Sequence, residues 1–326
     1  MTDIEVETMA EQAGQHDTFS IAGAIREIGR GRHGARGLSF EHARALFERL
    51  LADELSDLAV GAVLLAWRMK GESVDEVAAG LDALASWVHH VPVDPERPVV
   101  SIPSYNGSRK IANLTPLLAC LLADSGIQVI VHGVRHDPGR VTTYESMRAM
   151  GLDVASSIGD VPALLARNLP AFVPIDVLSP RLSRLLDLRW QLGVRNVGHT
   201  LAKLLDPVGD RRCLLLASYT HPEFEQLQHE LLARLGAHAL VSRGTEGEVF
   251  ANPRRHARID RLHEGRSTTV LDAQALPIAQ VMPLPAGDDV AACAAWMQSV
   301  LSGEREAPPA LQAQIACVRE ALSETA

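Results

Sequence analysis

Asp53-Glu54-Leu55-Ser56-Asp57 opens, and Trp67-Arg68-Met69-Lys70-Gly71-Glu72-Ser73 closes, a stretch punctuated at both ends. Ser56-Asp57 starts a helix that turns Val60, Val63, Leu64 and Trp67 inward, at spacings of three and four. Gly71 stops it, because glycine enters the left-handed conformation that ends helices. Ser73 followed by Glu76 reads as a capping box for the next helix, which runs to about His89. Upstream, Ser39 caps a helix beginning at Phe40, with Ala43, Leu46, Phe47 and Leu50 on one face. Ile21–Ile28 reads as a short helix. Between the first residues and His89, then, the chain is helical.

The pattern changes after the proline-punctuated segment Pro92–Pro98. Pro98-Val99-Val100-Ser101-Ile102 reads as a buried strand, followed by a loop and a helix over Asn113–Asp124. Gln128–His132, Ala171–Pro174, Cys213–Ala217, His238–Val241 and Thr268–Leu271 read as further strands. Helical patterns at Tyr144–Met150, Pro180–Leu192 and Glu223–Leu235 lie between them. Asp288–Leu301 and Pro309–Leu322 read as closing helices. Strands alternating with helices imply an α/β fold with a mostly parallel sheet.

With 47% hydrophobic and 22% charged residues in 326, the chain has globular composition. Aromatics are only 4%, so Leu, Val, Ala and Ile must build the core. The longest apolar runs, near Leu58–Trp67 and Leu114–Ala123, fall short of the roughly 20 residues a membrane span needs. Residues 1–17 are acidic and polar, the reverse of a signal peptide. Cys120, Cys213, Cys293 and Cys317 have no paired spacing and read as reduced, buried thiols, which points to the cytoplasm and away from a structural zinc. The formal net charge of −9 argues against a nucleic-acid partner only until its distribution is considered. Asp3, Glu5, Glu7, Glu11 and Asp17 fall in a tail (residues 1–18) of disordered character that carries no Lys or Arg.

The ordered motifs resemble anthranilate phosphoribosyltransferases over about residues 20–320. The helical domain of that family ends a helix in Leu-Arg-x-Lys-Gly-Glu-Thr, matching the stretch at Trp67–Ser73. Its His-Gly-Asn-Arg corresponds to His132-Gly133-Val134-Arg135. Its Val-Arg-Arg-Glu-Leu-Gly-Val-Arg corresponds to Leu188–Arg195, and Leu-Leu-x-Asn-Pro to Leu204-Leu205-Asp206-Pro207. The resemblance implies a glycosyltransferase family three, nucleoside phosphorylase/phosphoribosyltransferase class II-like fold. A helical domain (19–97, completed by about 176–207) would pack on an α/β domain (the rest of 98–326), and helices of the N-terminal domain would pair two copies into a homodimer.

The enzyme motifs then depart. The family's diphosphate loop, Gly-Thr-Gly-Gly-Asp, lets backbone N–H groups approach the donor. Here the loop is Pro103-Ser104-Tyr105-Asn106-Gly107, and Asn-Ile-Ser-Thr becomes Asn113-Leu114-Thr115-Pro116. Two glycines are lost, and proline removes one donor. The Asp-Glu pair that would serve Mg²⁺ falls on Val249 and Phe250, after Gly244-Thr245-Glu246-Gly247-Glu248. Glu246 and Glu248 are left as shifted ligands or as solvated turn acids. Leu178-Ser179-Pro180 replaces His-Pro-Ala. This altered pattern resembles the YbiB-like group, relatives that bind nucleic acid and do not transfer phosphoribose.

Two sets of candidate residues follow. Arg26, Arg30, Arg32 and Arg36 lie within eleven residues, opposed only by Glu27, in a glycine-rich loop suited to tracking phosphates. Arg109, Lys110, Arg135, Arg140, Arg243, Arg254, Arg255 and Arg258 follow strands, and loops after strands line the ligand crevice of such folds. Tyr105, His132 and His136 are candidates for stacking on bases. Ser104, Asn106, Gly107, Asn113, Thr115, His132, Gly133, Arg135 and Arg189 stand at the family's substrate positions, Arg189 at the acceptor. The reading expects sequence-tolerant binding of nucleic acid, single strands in particular, with no catalytic residue, cofactor or metal. Its alternative is a phosphoribosyltransferase with an altered donor or acceptor, for which Mg²⁺ would be required. No triad, P-loop or zinc pattern is present, but pentosyl transfer rests on positioning and charge stabilisation and needs none.

Overall fold

In the computed structural model, residues 19–324 are described, apart from 32 and 211. The acidic tail and Arg32 therefore lie outside the described residues. The chain starts with α1 (Ile21–Ile28), α2 (Phe40–Ala52), α3 (Asp57–Lys70) and α4 (Val74–Ala85). The hydroxyls of Ser39, Ser56 and Ser73 accept the N–H groups of His42, Ala59 and Glu76, so each serine satisfies a donor that its helix cannot.

Glu76 ties this domain together. It is fully buried, and its Oε1 accepts from the backbone of Leu38 and from the Trp67 indole, both at 3.0 Å. Its Oε2 accepts from Ser73 N at 2.8 Å and from the Lys70 ammonium at 2.7 Å. Phe47 stacks on Trp67 at 4.6 Å between centroids. The Lys70–Ser73 part of the motif is thus a structural device, in which a buried carboxylate is paired and fully bonded.

The α/β part comprises β1 (Val99–Ser104), α5 (Thr115–Asp124), β2 (Gln128–Gly133), α6 (Thr143–Ala149), α7 (Val161–Ala166) and β3 (Ala171–Pro174). Four short helices follow: α8 (Ile175–Leu178), α9 (Pro180–Asp187), α10 (Arg189–Leu192) and α11 (Val197–Leu204). Then come β4 (Leu214–Tyr219), α12 (Pro222–Arg234), β5 (Ala239–Arg243), β6 (Arg255–His256), β7 (Ile259–His263), β8 (Arg266–Leu271) and β9 (Gln274–Ala275). Helices α13 (Val290–Leu301) and α14 (Pro309–Ser323) close the chain. The large sheet has the order β3-β2-β1-β4-β5-β7-β8. Its first five strands are parallel, and β7 and β8 add an antiparallel edge.

Alternation along the strands separates two cores. Val99, Ile130, Val173, Leu215 and Val241 face the helical domain, whereas Val100, Val129, Phe172, Leu214 and Leu240 face α5, α13 and α14. Helix α11 packs on α3 and α4 and also on β1 and β4, so the 175–204 segment joins the helices to the sheet. Three expectations shift. The single helix over Pro180–Leu192 is two, broken at Leu188. Asn113 precedes its helix, where its Oδ1 accepts from Thr115 N at 3.1 Å. Strand β7 has no counterpart in the sequence reading, because buried Asp260 interrupts its apolar run; Arg258 pairs with it and His229 and Thr269 hydrogen-bond it.

Candidate functional site

Parallel strands β1 to β5 all end on one side of the sheet. The strand order reverses between β1 and β4, where this class of fold opens its ligand crevice. The loop after β1 and the turn after β5 meet at that point.

Their meeting is made by two carboxylates. Glu248, fully buried, points its Oε1 at the backbone nitrogens of Asn106 (2.8 Å) and Gly107 (2.6 Å). Its Oε2 accepts from the Ser104 hydroxyl at 2.6 Å. Glu246 accepts from the backbone of Arg109 at 2.9 Å, Lys110 at 2.8 Å and Ile111 at 3.0 Å. Five backbone donors of the loop that would cradle a diphosphate thus hold the protein's own carboxylates. Neither acid is a solvated turn residue, which corrects that expectation.

Local geometry explains the fit. Gly107 has φ +65°, and a Cβ there would come 2.6 Å from the carbonyl oxygen of Val141. Gly247 has φ +92°, and a Cβ would lie 1.7 Å from the Asn106 amide nitrogen, so only glycine lets the two loops close together. Glu246 itself has φ +52°, a conformation costing a non-glycine residue roughly 1–2 kcal/mol. Three charge-assisted bonds offset that cost. Thr143 Oγ1 lies 2.7 Å from Ser104 Oγ and accepts from the Asn113 amide at 2.9 Å, which fixes the Ser104 side chain.

The residues do not fit a magnesium–diphosphate site. Val249 and Phe250, at the expected metal positions, are buried in the core facing α5, α13 and α14. Glu246 and Glu248 spend their oxygens on N–H and O–H donors. Among the described residues no group of three His, Cys, Asp or Glu side chains could hold a metal.

Two of the three stacking candidates are corrected. Tyr105 is 2% exposed and His132 fully buried; the phenol meets His132 Nδ1 at 2.7 Å, and Nε2 lies 3.1 Å from Ser101 Oγ. Burial pushes the His132 imidazole down to about 3, so it is a neutral core histidine. His136 is exposed and faces Glu145 at 3.1 Å. The accessible aromatic surface in the crevice is Trp190, 52% exposed, with the Arg189 guanidinium 4.1 Å from its ring centroid. Sequence reasoning missed it, although it directly follows the arginine singled out for the acceptor.

The basic residues divide. Arg135 pairs with Asp176, Arg140 with Glu246, Arg189 with Asp137, Arg258 with Asp260 and Arg30 with Glu27. Arg140 also donates to the carbonyls of Gly107 and Glu246, which makes it a clamp on the two loops. Arg109, Lys110, Arg243, Arg254 and Arg255 are exposed and make no ion pair among the described residues. Arg243 ends β5, and Arg258 immediately precedes β7, whose first residue is paired with Ser242. Gly133 ends β2 in register with Ser104. Arg26, Arg30 and Arg36 lie in and just after α1 and share no side-chain bond with the crevice loops among the described residues. Between α9, α10 and the loop after β2, Arg135, Arg189, Trp190 and Tyr105 line a crevice of about 430 Å³.

Residues 23–86 match the helical bundle domain of the glycosyl transferase family. Over 306 residues the chain is 39% identical to the YbiB protein of Escherichia coli (strain K12), covering 93% of this chain and 94% of the relative. The chain belongs to the YbiB family. This YbiB-family chain is also 29% identical to anthranilate phosphoribosyltransferase 2 of Ralstonia nicotianae over 70% of its length and 65% of the enzyme. Its fold matches that of anthranilate phosphoribosyltransferase from Thermus thermophilus, with a TM-score of 0.72 at 24% identity over 92% and 88% of the two chains. The Saccharomyces cerevisiae enzyme, solved with PRPP and Mg, gives a TM-score of 0.69 at 16% identity over 94% and 89%. The anthranilate phosphoribosyltransferase fold is thereby established for this YbiB-family chain. Among the described residues no helix is long and apolar enough to cross a membrane.

Proposed function

We propose that this chain binds nucleic acid, single strands in particular, without transferring phosphoribose. The observation that carries the reading is the filled cradle: Glu246 and Glu248 satisfy the backbone donors a diphosphate would need. A phosphorylated donor would have to displace two carboxylates from about six hydrogen bonds, each worth about 1.5–3 kcal/mol where one partner is charged. Beside that closed centre, Arg109, Lys110 and Arg243 are exposed and make no ion pair among the described residues, as suits phosphate-contacting side chains. Trp190 offers a ring on which a base can stack. Exposed Leu58, Leu65 and Met69 on α3 support a homodimer through the N-terminal helices.

The likeness to the enzymes favours a second reading, pentosyl transfer with an altered donor or acceptor. Arg189 beside Trp190 in the 430 Å³ crevice is the feature that supports it. Incubation with phosphoribosyl diphosphate, Mg²⁺ and anthranilate separates the two. The proposal expects no turnover. Turnover abolished by Arg189→Ala would establish the transferase instead.

A further inference from the structure

Behind the turn that carries Glu248, helices α3 and α11 and the end of β4 enclose a second cavity of about 220 Å³. Arg195, Lys203, Tyr219 and Gln228 are among its walls. Lys203 donates to the Gly247 carbonyl at 3.0 Å and has no ion-paired carboxylate among the described residues. Arg195 makes no hydrogen bond or ion pair with any described residue. Both side chains are partly buried. Burial, then neighbouring Arg189 and Arg140, draws the Arg195 guanidinium down to about 10. Burial draws the Lys203 ammonium down to about 8, against the pull of Glu248. Gln228 turns a donor to the Ser218 carbonyl, while its own buried Oε1 has no hydrogen-bond partner among the described residues.

Two partly buried cations on the wall of one cavity destabilise a fold unless an anion offsets them. Among the described residues Glu72 is the one carboxylate on the cavity wall; it is itself pushed up by burial and bonds neither of them. The volume lies below the roughly 300–1,000 Å³ of sites for drug-sized ligands, so the occupant is small. A phosphate monoester carries about −1.5 to −2 charges near neutral pH, which matches two cations better than a single carboxylate does. Arginine supplies the fork for its oxygens and lysine the point charge. We infer that this cavity binds one phosphomonoester, with Arg195 and Lys203 as its counter-charges. The site stands on its own geometry and does not rest on the nucleic-acid reading.

Inorganic phosphate is the probe, titrated against the full chain by calorimetry at an ionic strength held constant with chloride. Saturable binding is expected, weakened at least tenfold in Arg195→Gln and in Lys203→Met. Competition then separates the sources of the group. Displacement by ribose 5-phosphate marks a free metabolite, and displacement only by an oligonucleotide with a 5′-phosphate, not by its 5′-hydroxyl twin, marks a strand end. Absence of saturable phosphate binding by the wild type overturns the inference, as does binding that survives in both variants. If oligonucleotides still bind that wild type, only this inference falls and the nucleic-acid reading stands.

Discussion

Glu248 and Gly107 are 141 residues apart, yet the carboxylate Oε1 of one lies 2.6 Å from the backbone nitrogen of the other. The acid sits where the fold's diphosphate loop presents its N–H groups. In this chain that loop's N–H groups are bonded by an internal carboxylate.

That contact sets the first prediction. Glu248→Ala leaves the Asn106 and Gly107 amides without their acceptor at a buried position, while the Ser104 hydroxyl can still donate to Thr143 Oγ1. A stranded buried donor costs about 1–3 kcal/mol, so the variant should lose about 3 kcal/mol of stability. Glu248→Gln, which keeps a carbonyl acceptor, should lose less. Urea denaturation measures both. Equal stability of Glu248→Ala and wild type would contradict the described geometry.

A matching loss is expected in the helical domain. Glu76→Ala removes the acceptor shared by Leu38, Trp67, Lys70 and Ser73 and strands a partly buried lysine. Breaking a buried ion pair on one side costs about 3–5 kcal/mol. Thermal melting should show a large fall in the midpoint. The effects of Glu76→Ala and Glu248→Ala should add, because they share no partner.

How legible this was in the sequence follows from range. Ser73 and Glu76 announce their capping box at three residues' separation, and the reversal from helices to strands after Pro98 announces the fold class. Glu248 and Gly107 lie far apart in the chain, and nothing local says that an acid on a glycine turn will fill a loop that has lost its glycines. Tyr105 looked accessible because loop aromatics usually are; its burial depends on His132, a partner on the next strand. Asp260 hid strand β7 for a related reason, since two of its three partners, His229 and Thr269, come from other elements of the fold.

Acid should destabilise the fold through two histidines. Burial holds His132 and His199 down to about 3, against the ordinary 6.5, with Arg195 and Arg189 adding to the effect on His199. Between those values the unfolded chain binds more protons than the folded one. Their contribution is therefore fully present above about pH 6.5 and is lost as pH falls toward 3, by up to about 1.4 kcal/mol per pH unit for each histidine. Urea titrations at pH 7 and pH 5 measure the slope. Replacing His199 with Gln should flatten it, and an unchanged slope would contradict the assignment.

Lys203 should act in the opposite range. Its folded value of about 8 lies below the ordinary 10.5, so the folded state carries a penalty below pH 8 that disappears as pH rises to 10.5. In phosphate-free buffer, Lys203→Met should be more stable than wild type at pH 7, and the difference should shrink between pH 8 and 10.5. A gap independent of pH would mean that the ammonium is not desolvated.

The central claim is that a chain on a transferase fold binds the phosphate backbone of nucleic acid from around a closed donor site. Fluorescence anisotropy of a labelled single-stranded oligonucleotide, titrated with the full chain at several salt concentrations between about 50 and 200 mM, tests it most directly. Binding should weaken linearly in log–log form as salt rises, independently of sequence. Replacing Arg109, Lys110 and Arg243 together with alanine should flatten that slope by about two to three, close to 0.7–0.9 per lost phosphate contact. No change in anisotropy at about 50 mM salt, where phosphate contacts are strongest, would contradict the account.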